Sequence, residues 1–161
     1  MSAKLLIAGV GNIFFGDDGF GCELARRLAA LDLGPEVRVV DFGIRGLHLA
    51  YELLRPYERL ILLDALARGG TPGTLYVLEP EVSAPPLAAN GHGMDLPSVF
   101  AALSALGGRL PRALLIGCEP ATLDEGLGLS ESVARALTPA MALVRRRIDR
   151  FYHPHLEEMT P

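Results

Sequence analysis

Short apolar runs alternate along the chain with segments in which apolar residues recur at helical spacing. The apolar runs predict five strands, at residues 4–10, 36–41, 59–65, 74–78 and 113–118. The helical segments predict four helices, at residues 18–31, 47–54 and 95–106 and from Ser130 to about Arg150. Residues 79–94 carry several prolines and glycines, so they are predicted to form a long loop.

This order of elements predicts an α/β fold, a three-layer sandwich with a mostly parallel five-stranded sheet and helices on both faces. The strands are nearly unbroken runs of Leu, Ile and Val, as expected where helices cover both faces of a sheet. The step from residues 59–65 to residues 74–78 is short, which favours an antiparallel neighbour of strand three over a crossover. We expect a single domain over residues 1–150 and a flexible C-terminal tail at residues 151–161.

Composition narrows the classes of function that the chain can have. A net charge of −4 over 161 residues gives no support for nucleic-acid binding. No apolar run is long enough for a membrane span, and the first residues predict a buried strand rather than a signal peptide. The two cysteines form no CxxC pair, which excludes a closed thiolate zinc site and disfavours a disulfide framework. We therefore expect a cytoplasmic protein whose chemistry relies on carboxylates, histidine and backbone groups.

Acidic residues fall at the carboxyl ends of the predicted strands, where open α/β sheets bind their ligands. Asp17 and Asp18 follow strand one, Asp41 ends strand two, and Asp64 lies at the end of strand three. One aspartate is enough to cap the next helix, so the second leaves a carboxylate for the crevice. Strand three is the most apolar segment of the chain, and a carboxylate there is costly unless it is hydrogen-bonded, paired or bound to a cation.

A histidine in the long loop adds a nitrogen donor to this set. His92 lies between two glycines, and by itself it would be read as an ordinary exposed loop residue. Together with Asp18 and Asp64 it would form a set of two carboxylates and one imidazole with open positions. Such a set suits a borderline divalent ion such as nickel or zinc.

The glycines after strand one do not predict a nucleotide site. Phe14 stands where a dinucleotide fingerprint has its third glycine, and no Gly-Lys-Ser/Thr follows Gly16 as a P-loop requires. We interpret Gly9 and Gly11 as turn residues. Cys22 is interpreted as a small core residue, and no histidine adjacent in the sequence supports a nucleophilic role for Cys118.

Residues 9–21, with the sequence Gly-Val-Gly-Asn-Ile-Phe-Phe-Gly-Asp-Asp-Gly-Phe-Gly, resemble the N-terminal signature of the nickel-iron hydrogenase maturation endopeptidases. The resemblance extends over roughly residues 4–145. Its shorter parts follow in the family's order, at Val40–Gly43, Leu60–Ala65, Pro72–Thr74, His92–Met94, Leu115–Gly117 and Gly128–Ser130.

The resemblance implies a twisted five-stranded sheet and a protease that makes one cut near the C-terminus of a hydrogenase large-subunit precursor, after nickel insertion. It also implies that Asp18, Asp64 and His92 are the catalytic and nickel-contacting residues, with the nickel supplied by the substrate. Asp41 and Asp17 are accessory candidates by position. Many members of the family carry Glu at the position of Asp18, and many have Gly-Gly where this chain has Phe42 before Gly43.

Two further functions use the same residues. A self-contained zinc- or manganese-dependent hydrolase of small amides or phosphoesters would hold its own metal ion. A nickel-handling or assembly chaperone would dock the same precursor without cutting it. For the protease, two routes stay open: a metal that polarises the scissile carbonyl, or a carboxylate that activates water while the ion positions the substrate.

Overall fold

The computed structural model of the chain describes residues 3–80 and 95–155. Within these residues the chain forms the five strands and four helices that the hydrophobic pattern predicts. The strands are β1 (Leu5–Val10), β2 (Val37–Gly43), β3 (Arg59–Ala65), β4 (Leu75–Leu78) and β5 (Arg112–Cys118). The helices are α1 (Phe20–Ala29), α2 (Gly46–Glu52), α3 (Leu96–Ala105) and α4 (Glu131–Tyr152), and a short 3-10 turn at Gly16–Gly19 precedes α1.

The strands form one sheet in the order β2-β1-β3-β5-β4, in which only β4 runs antiparallel to its neighbour. The prediction of an antiparallel β4 is confirmed, but the prediction that it pairs with β3 is wrong, because β4 pairs with β5. The connecting segment explains the difference. Leu66 N donates to Cys118 O (2.9 Å) and Gly73 N donates to Glu119 O (2.9 Å), so the chain crosses the end of β5 before it turns back.

Two apolar cores lie on the two faces of the sheet. Successive residues of β1 alternate between them, with Leu5 and Ile7 on one face and Leu6 and Ala8 on the other. Helices α1 and α4 cover the first face, and α2 and α3 cover the second. The three-layer α/β sandwich is therefore confirmed. Phe42, which departs from the common family pattern, is buried in the α2/α3 core.

The ends of the helices show how local polar groups set their bounds. Asp95 caps α3 as predicted, since its carboxylate accepts from Ser98 N (2.8 Å) and from Ser98 Oγ (2.7 Å). Helix α4 ends at Tyr152, two residues beyond the predicted end, because Phe151 and Tyr152 pack against the α1/α4 core. The last residues of the predicted tail, 156–161, lie outside the described residues. Among the helices of the described segments, none combines the length and the apolar character that a bilayer crossing requires.

The absence of a side chain at Gly21 lets α1 rest directly on the sheet. A Cβ atom there would overlap the backbone oxygen of Leu63 and would lie 2.6 Å from the backbone oxygen of Val10. A Cβ atom at Gly9, on the facing strand, would lie 2.6 Å from the Cβ atom of Ala25. This close approach brings the 3-10 turn and the start of α1 to the carboxyl ends of β1 and β3.

Candidate functional site

The register of the parallel strands brings two acidic residues to the end of β1. Gly9 of β1 is paired with Asp41 of β2 on one side and with Leu63 of β3 on the other. Asp64 directly follows Leu63, so Asp41 and Asp64 flank the end of β1. The alternation along β3 gives Asp64 the same face as Leu60 and Leu62, which is the face covered by α2 and α3.

Asp18 reaches the same edge from the 3-10 turn that precedes α1. Its Oδ2 atom accepts a hydrogen bond from the backbone N–H of Asn12 (2.7 Å). The turn between β1 and Asp18 is tight, because Gly11 has a φ of 134° and a Cβ atom there would overlap the backbone oxygen of Asp18. The glycine that resembles part of a nucleotide fingerprint therefore allows the chain to bring Asp18 back over the strand end.

Asp18 lies near Asp64, because the 3-10 turn that carries Asp18 packs against β3. Burial raises the pKa of the Asp64 carboxyl well above its ordinary value, and the negative charge of Asp18 raises it further. A hydrogen bond from the backbone N–H of Ala65 offsets part of this rise. When both carboxylates are charged, Asp18 and Asp64 repel each other. A cation between them would relieve this repulsion, so the site favours binding of a cation.

Cys22 lies among these carboxylates, which the sequence did not indicate. Its side chain is buried, as expected for a core residue, and its Sγ donates to the backbone oxygen of Gly11 (3.4 Å). Burial raises the pKa of this thiol; a hydrogen bond with Asp41 and the charges of Asp41, Asp64 and Asp18 raise it further. The Cys22 side chain therefore lies close enough to all three acids for their charges to affect its pKa. The only signal in the sequence was the one-turn spacing between Asp18 and Cys22, which places both on one side of a helix start.

Asp41 borders the cluster at a more exposed position. Its Oδ1 atom accepts from the backbone N–H of Gly43 (2.9 Å), while its backbone oxygen accepts from Arg45 Nη2 (2.6 Å). This hydrogen bond from Gly43 to the Asp41 side chain stabilises the turn that leads from β2 into the loop before α2. Asp41 is thus placed beside Cys22 at the rim of the carboxylate cluster.

Asp17 is fully buried and joins two loops instead of facing the cluster. Its Oδ1 accepts from Ser130 N (2.7 Å), and its Oδ2 accepts from Ala121 N (2.8 Å), Thr122 N (3.1 Å) and Ser130 Oγ (2.8 Å). Burial alone would raise the pKa of Asp17, but the hydrogen bonds from Ser130, Ala121 and Thr122 lower it below its ordinary value. Asp17 anchors the segment between β5 and α4, so its contribution to the site is to hold the neighbouring Asp18 in place.

Glu119 has a similar anchoring role on the other side of β5. Its buried carboxylate accepts from Arg68 N (2.9 Å), Gly70 N (2.6 Å) and Tyr76 Oη (2.8 Å). Burial would raise the pKa of Glu119, but these hydrogen bonds and the charge of Arg68 hold it below its ordinary value. The segment after β3, which begins two residues beyond Asp64, is thereby fixed against the end of β5.

The third predicted donor, His92, lies outside the described residues, which end at Pro80 and resume at Asp95. Among the described residues alone, no group of three His, Cys, Asp or Glu side chains is arranged to hold a metal ion. The described part of the predicted set consists of Asp18 and Asp64. Both cysteines are unpaired and buried.

Comparison with known proteins shows to which family the chain belongs. The sequence profile described as hydrogenase maturation protease matches residues 22–147 of the chain. The chain belongs to the hydrogenase maturation protease family. Among the relatives, a putative hydrogenase maturation protease of Methanocaldococcus jannaschii is 30% identical over 154 residues, which cover 91% of this chain and 97% of that protein. The hydrogenase 2 maturation protease of Escherichia coli is 30% identical over 146 residues, covering 88% of each.

Solved structures of maturation proteases share the fold described above. The hydrogenase 2 maturation peptidase of a Thaumarchaeota archaeon superposes with a TM-score of 0.70 at 33% identity, covering 90% of this chain and 97% of that one. The hydrogenase maturating endopeptidase HybD of Escherichia coli superposes with a TM-score of 0.72 at 27% identity, covering 88% and 89%. As a maturation protease the protein is an endopeptidase, and the carboxylate cluster is the candidate for its active site.

Proposed function

We propose that the protein removes a C-terminal peptide from the nickel-loaded precursor of a NiFe-hydrogenase large subunit. In this proposal Asp18, Asp64 and His92 contact the nickel that the substrate carries. The observation that supports it most strongly is that the end of β3, which carries Asp64, and the turn after β1, which carries Asp18, lie together at one edge of the sheet. Burial and the charge of Asp18 both disfavour the ionised form of Asp64 there. A divalent cation at this edge would remove that penalty, because it compensates both negative charges at once.

The chemistry of the donors fits nickel as part of the substrate. Two carboxylate oxygens and one imidazole nitrogen suit a borderline divalent ion. Three donors also leave positions for ligands that the precursor itself supplies. The protein therefore recognises a precursor that carries nickel more strongly than one that does not, since only the loaded precursor relieves the repulsion between Asp18 and Asp64.

Hydrolysis of a peptide bond at this edge needs an acceptor and a donor for one proton. Water adds to the carbonyl carbon, the carbon–nitrogen bond breaks, and the proton taken from the water passes to the leaving nitrogen. Carboxylate oxygens of the cluster are suited to carry this proton, because a raised pKa brings a carboxyl group closer to the working pH. Positive charge beside the bond would stabilise the developing negative charge on the carbonyl oxygen.

The proposal is tested by cleavage of the nickel-loaded precursor, followed by intact mass spectrometry. Asp18→Asn, Asp64→Asn and His92→Ala are each expected to lower the cleavage rate at least about 100-fold, the usual scale for loss of a positioned acid–base group. Asp32→Asn is the matched control, because it removes an exposed carboxylate in the loop between α1 and β2. Full activity in Asp64→Asn and His92→Ala would contradict the assignment of the site.

The same assay separates the two other functions. A chaperone that docks the precursor without cutting it would leave the mass of the precursor unchanged. A self-contained metal hydrolase would be purified with stoichiometric metal, and chelators would abolish its activity on a substrate without nickel. Either result would overturn the proposal.

A further inference from the structure

Two loops at the carboxyl edge of the sheet expose large apolar side chains next to the carboxylate cluster. Ile13 is 49% exposed and Phe14 is 59% exposed in the loop after β1, and Leu127 is 74% exposed in the segment between β5 and α4. We name these three residues the apolar platform. Neighbouring apolar side chains that stay in water mark an interaction site more often than single ones do.

The backbone holds the platform in a fixed shape. Gly126 N donates to Phe14 O (2.7 Å), and Gly16 N donates to Gly126 O (2.9 Å), so the two loops are joined directly before Leu127. Asn12 Oδ1 accepts from Phe14 N (2.9 Å) and closes the first loop on itself. The platform is thus formed before any partner arrives, which reduces the ordering cost of binding.

A cavity of about 430 Å³ opens beside the platform, between α1 and the start of α4. Its apolar wall includes Ile13 and Leu127 of the platform together with Leu129, Ala134 and Leu137. The charged side chains that line it, Glu23 and Arg27, pair with each other (3.0 Å). The volume lies within the range of about 300–1,000 Å³ that is usual for ligand pockets, so the cavity has room for an apolar side chain of a partner.

The platform is continuous with the candidate active site. Asn12, the residue before Ile13, donates its backbone N–H to Asp18 (2.7 Å). A polypeptide whose peptide bond reaches Asp18 therefore comes close to Ile13 and Phe14.

We propose that the apolar platform and its cavity bind an apolar segment of the precursor that adjoins the cleaved bond. This proposal rests on the proposed function. The platform is small compared with a permanent interface, which uses about 20–30 residues on each side. Three residues beside a hydrolytic site suit transient binding of a substrate segment better than a stable contact between two copies of the chain.

The test measures kcat and KM for cleavage of the nickel-loaded large-subunit precursor. Leu127→Ser removes an apolar side chain of the platform, and Ala134→Phe fills the cavity from an exposed position on α4. Loss of one buried apolar contact predicts a KM raised about tenfold to a hundredfold, with kcat within about twofold of the wild type. Ala142→Phe, exposed on α4 outside the cavity, and Leu47→Ser, at a position 54% exposed on α2, are the matched controls and are expected to keep the wild-type KM.

If the proposed function is wrong, the wild type itself leaves the precursor intact, so this failure can be told apart from failure of the platform proposal. If the wild type cuts the precursor while Leu127→Ser and Ala134→Phe keep its KM, the platform does not bind substrate. Sedimentation analysis tests whether a second copy of the chain binds the platform instead of the precursor. A wild-type dimer that Leu127→Ser dissociates, with KM unchanged, would show that the platform joins two copies of the chain and would overturn the proposal. Circular dichroism melting shows whether each variant is folded. If either Leu127→Ser or Ala134→Phe fails to fold, the KM of the other variant still tests the proposal.

Discussion

Replacement of Asp17 by alanine removes the group that ties the loop after β1 to the segment before α4. The carboxylate accepts four hydrogen bonds, of which three come from backbone N–H groups and one comes from the hydroxyl of Ser130. Ser130 is the N-cap residue of the 22-residue helix α4, and its own side chain makes no capping hydrogen bond. The Asp17 carboxylate lies at that helix start and adds favourable charge there.

The size of the effect follows from what each donor does when the carboxylate is gone. Ala121 and Thr122 are exposed, so water can replace the lost bonds to their N–H groups. Ser130 is half-buried. Its hydroxyl can turn toward water, so only the N–H loses its charged acceptor in full, which costs about 1.5–3 kcal/mol. With about 0.3–1 kcal/mol from the helix terminus, we expect Asp17→Ala to lower the free energy of unfolding by about 3 kcal/mol.

Thermal melting followed by circular dichroism measures this effect. For a chain of this size about 3 kcal/mol corresponds to a Tm lowered by about 6–12 °C. Asp17→Asn should show a smaller loss, because one amide oxygen still accepts while the amide N–H₂ faces a donor. Asp124→Ala, exposed in the same segment, is the control. A Tm for Asp17→Ala within about 2 °C of the wild type would refute the assigned role, since even 1 kcal/mol shifts Tm by about 2–4 °C.

The pH dependence of this difference has a defined sign. Burial opposes ionisation of Asp17, but its hydrogen bonds prevail and hold the pKa in the folded protein below the ordinary value of 3.8. The stabilisation is therefore complete above 3.8 and is lost as the pH falls through the lower folded pKa. The Tm difference between the wild type and Asp17→Asn should shrink in acid, and a difference that grows there would contradict this.

Asp64, the two cysteines and Gly21 can each be tested by a further measurement. Burial and the charge of Asp18 raise the pKa of Asp64, so ionisation of this one carboxyl costs stability as the pH rises above 3.8. Asp64→Asn should therefore raise the Tm at neutral pH while it lowers the cleavage rate. Cys22 and Cys118 are buried, and the pKa of the Cys118 thiol is raised to about 11, so neither should react with a thiol reagent in mildly alkaline buffer until guanidinium unfolds the chain. Gly21→Ala should lower the unfolding free energy by about 1–3 kcal/mol, although alanine is the better helix former, because its Cβ would overlap the backbone of β3.

Each of these has an outcome that would count against it. Equal Tm values for Asp64→Asn and the wild type at neutral pH would mean that Asp64 bears no ionisation penalty. Rapid labelling of Cys22 in the folded protein would mean that the thiol among the carboxylates is accessible. A Gly21→Ala variant as stable as Ala29→Ser, a change at an exposed position of the same helix, would show that α1 can move away from the sheet at little cost.

The hydrophobic pattern was sufficient for the layers of the fold but not for the position of β4. Nearly unbroken apolar strands require cover on both faces, and the structure has helices on both. The short link between β3 and β4 suggested a hairpin, yet the link crosses β5 because Glu119 and the backbone of β5 hold it there. A buried carboxylate that organises a loop through contacts about 50 residues away in sequence leaves no periodic signal.

The acids of the candidate site could be predicted from their positions at the strand ends, but the separate role of each acid could not. Asp17 and Asp18 are neighbours in sequence, but the 3-10 turn sends one carboxylate toward Ser130 and the other toward Asn12. Only the tertiary structure decides which of two adjacent aspartates becomes the anchor. The place of Cys22 among Asp18, Asp41 and Asp64 likewise depends on the close approach of α1 to the sheet, which Gly21 permits.

In the proposed function, nickel in the precursor controls cleavage at the cluster of Asp18 and Asp64. The most direct measurement is a time course of intact mass for nickel-loaded and nickel-free forms of the same large-subunit precursor, each incubated with the wild-type protein. We predict that the loaded precursor loses one C-terminal peptide while the nickel-free form keeps its full mass. Cleavage of both forms at the same rate would contradict control of cleavage by nickel.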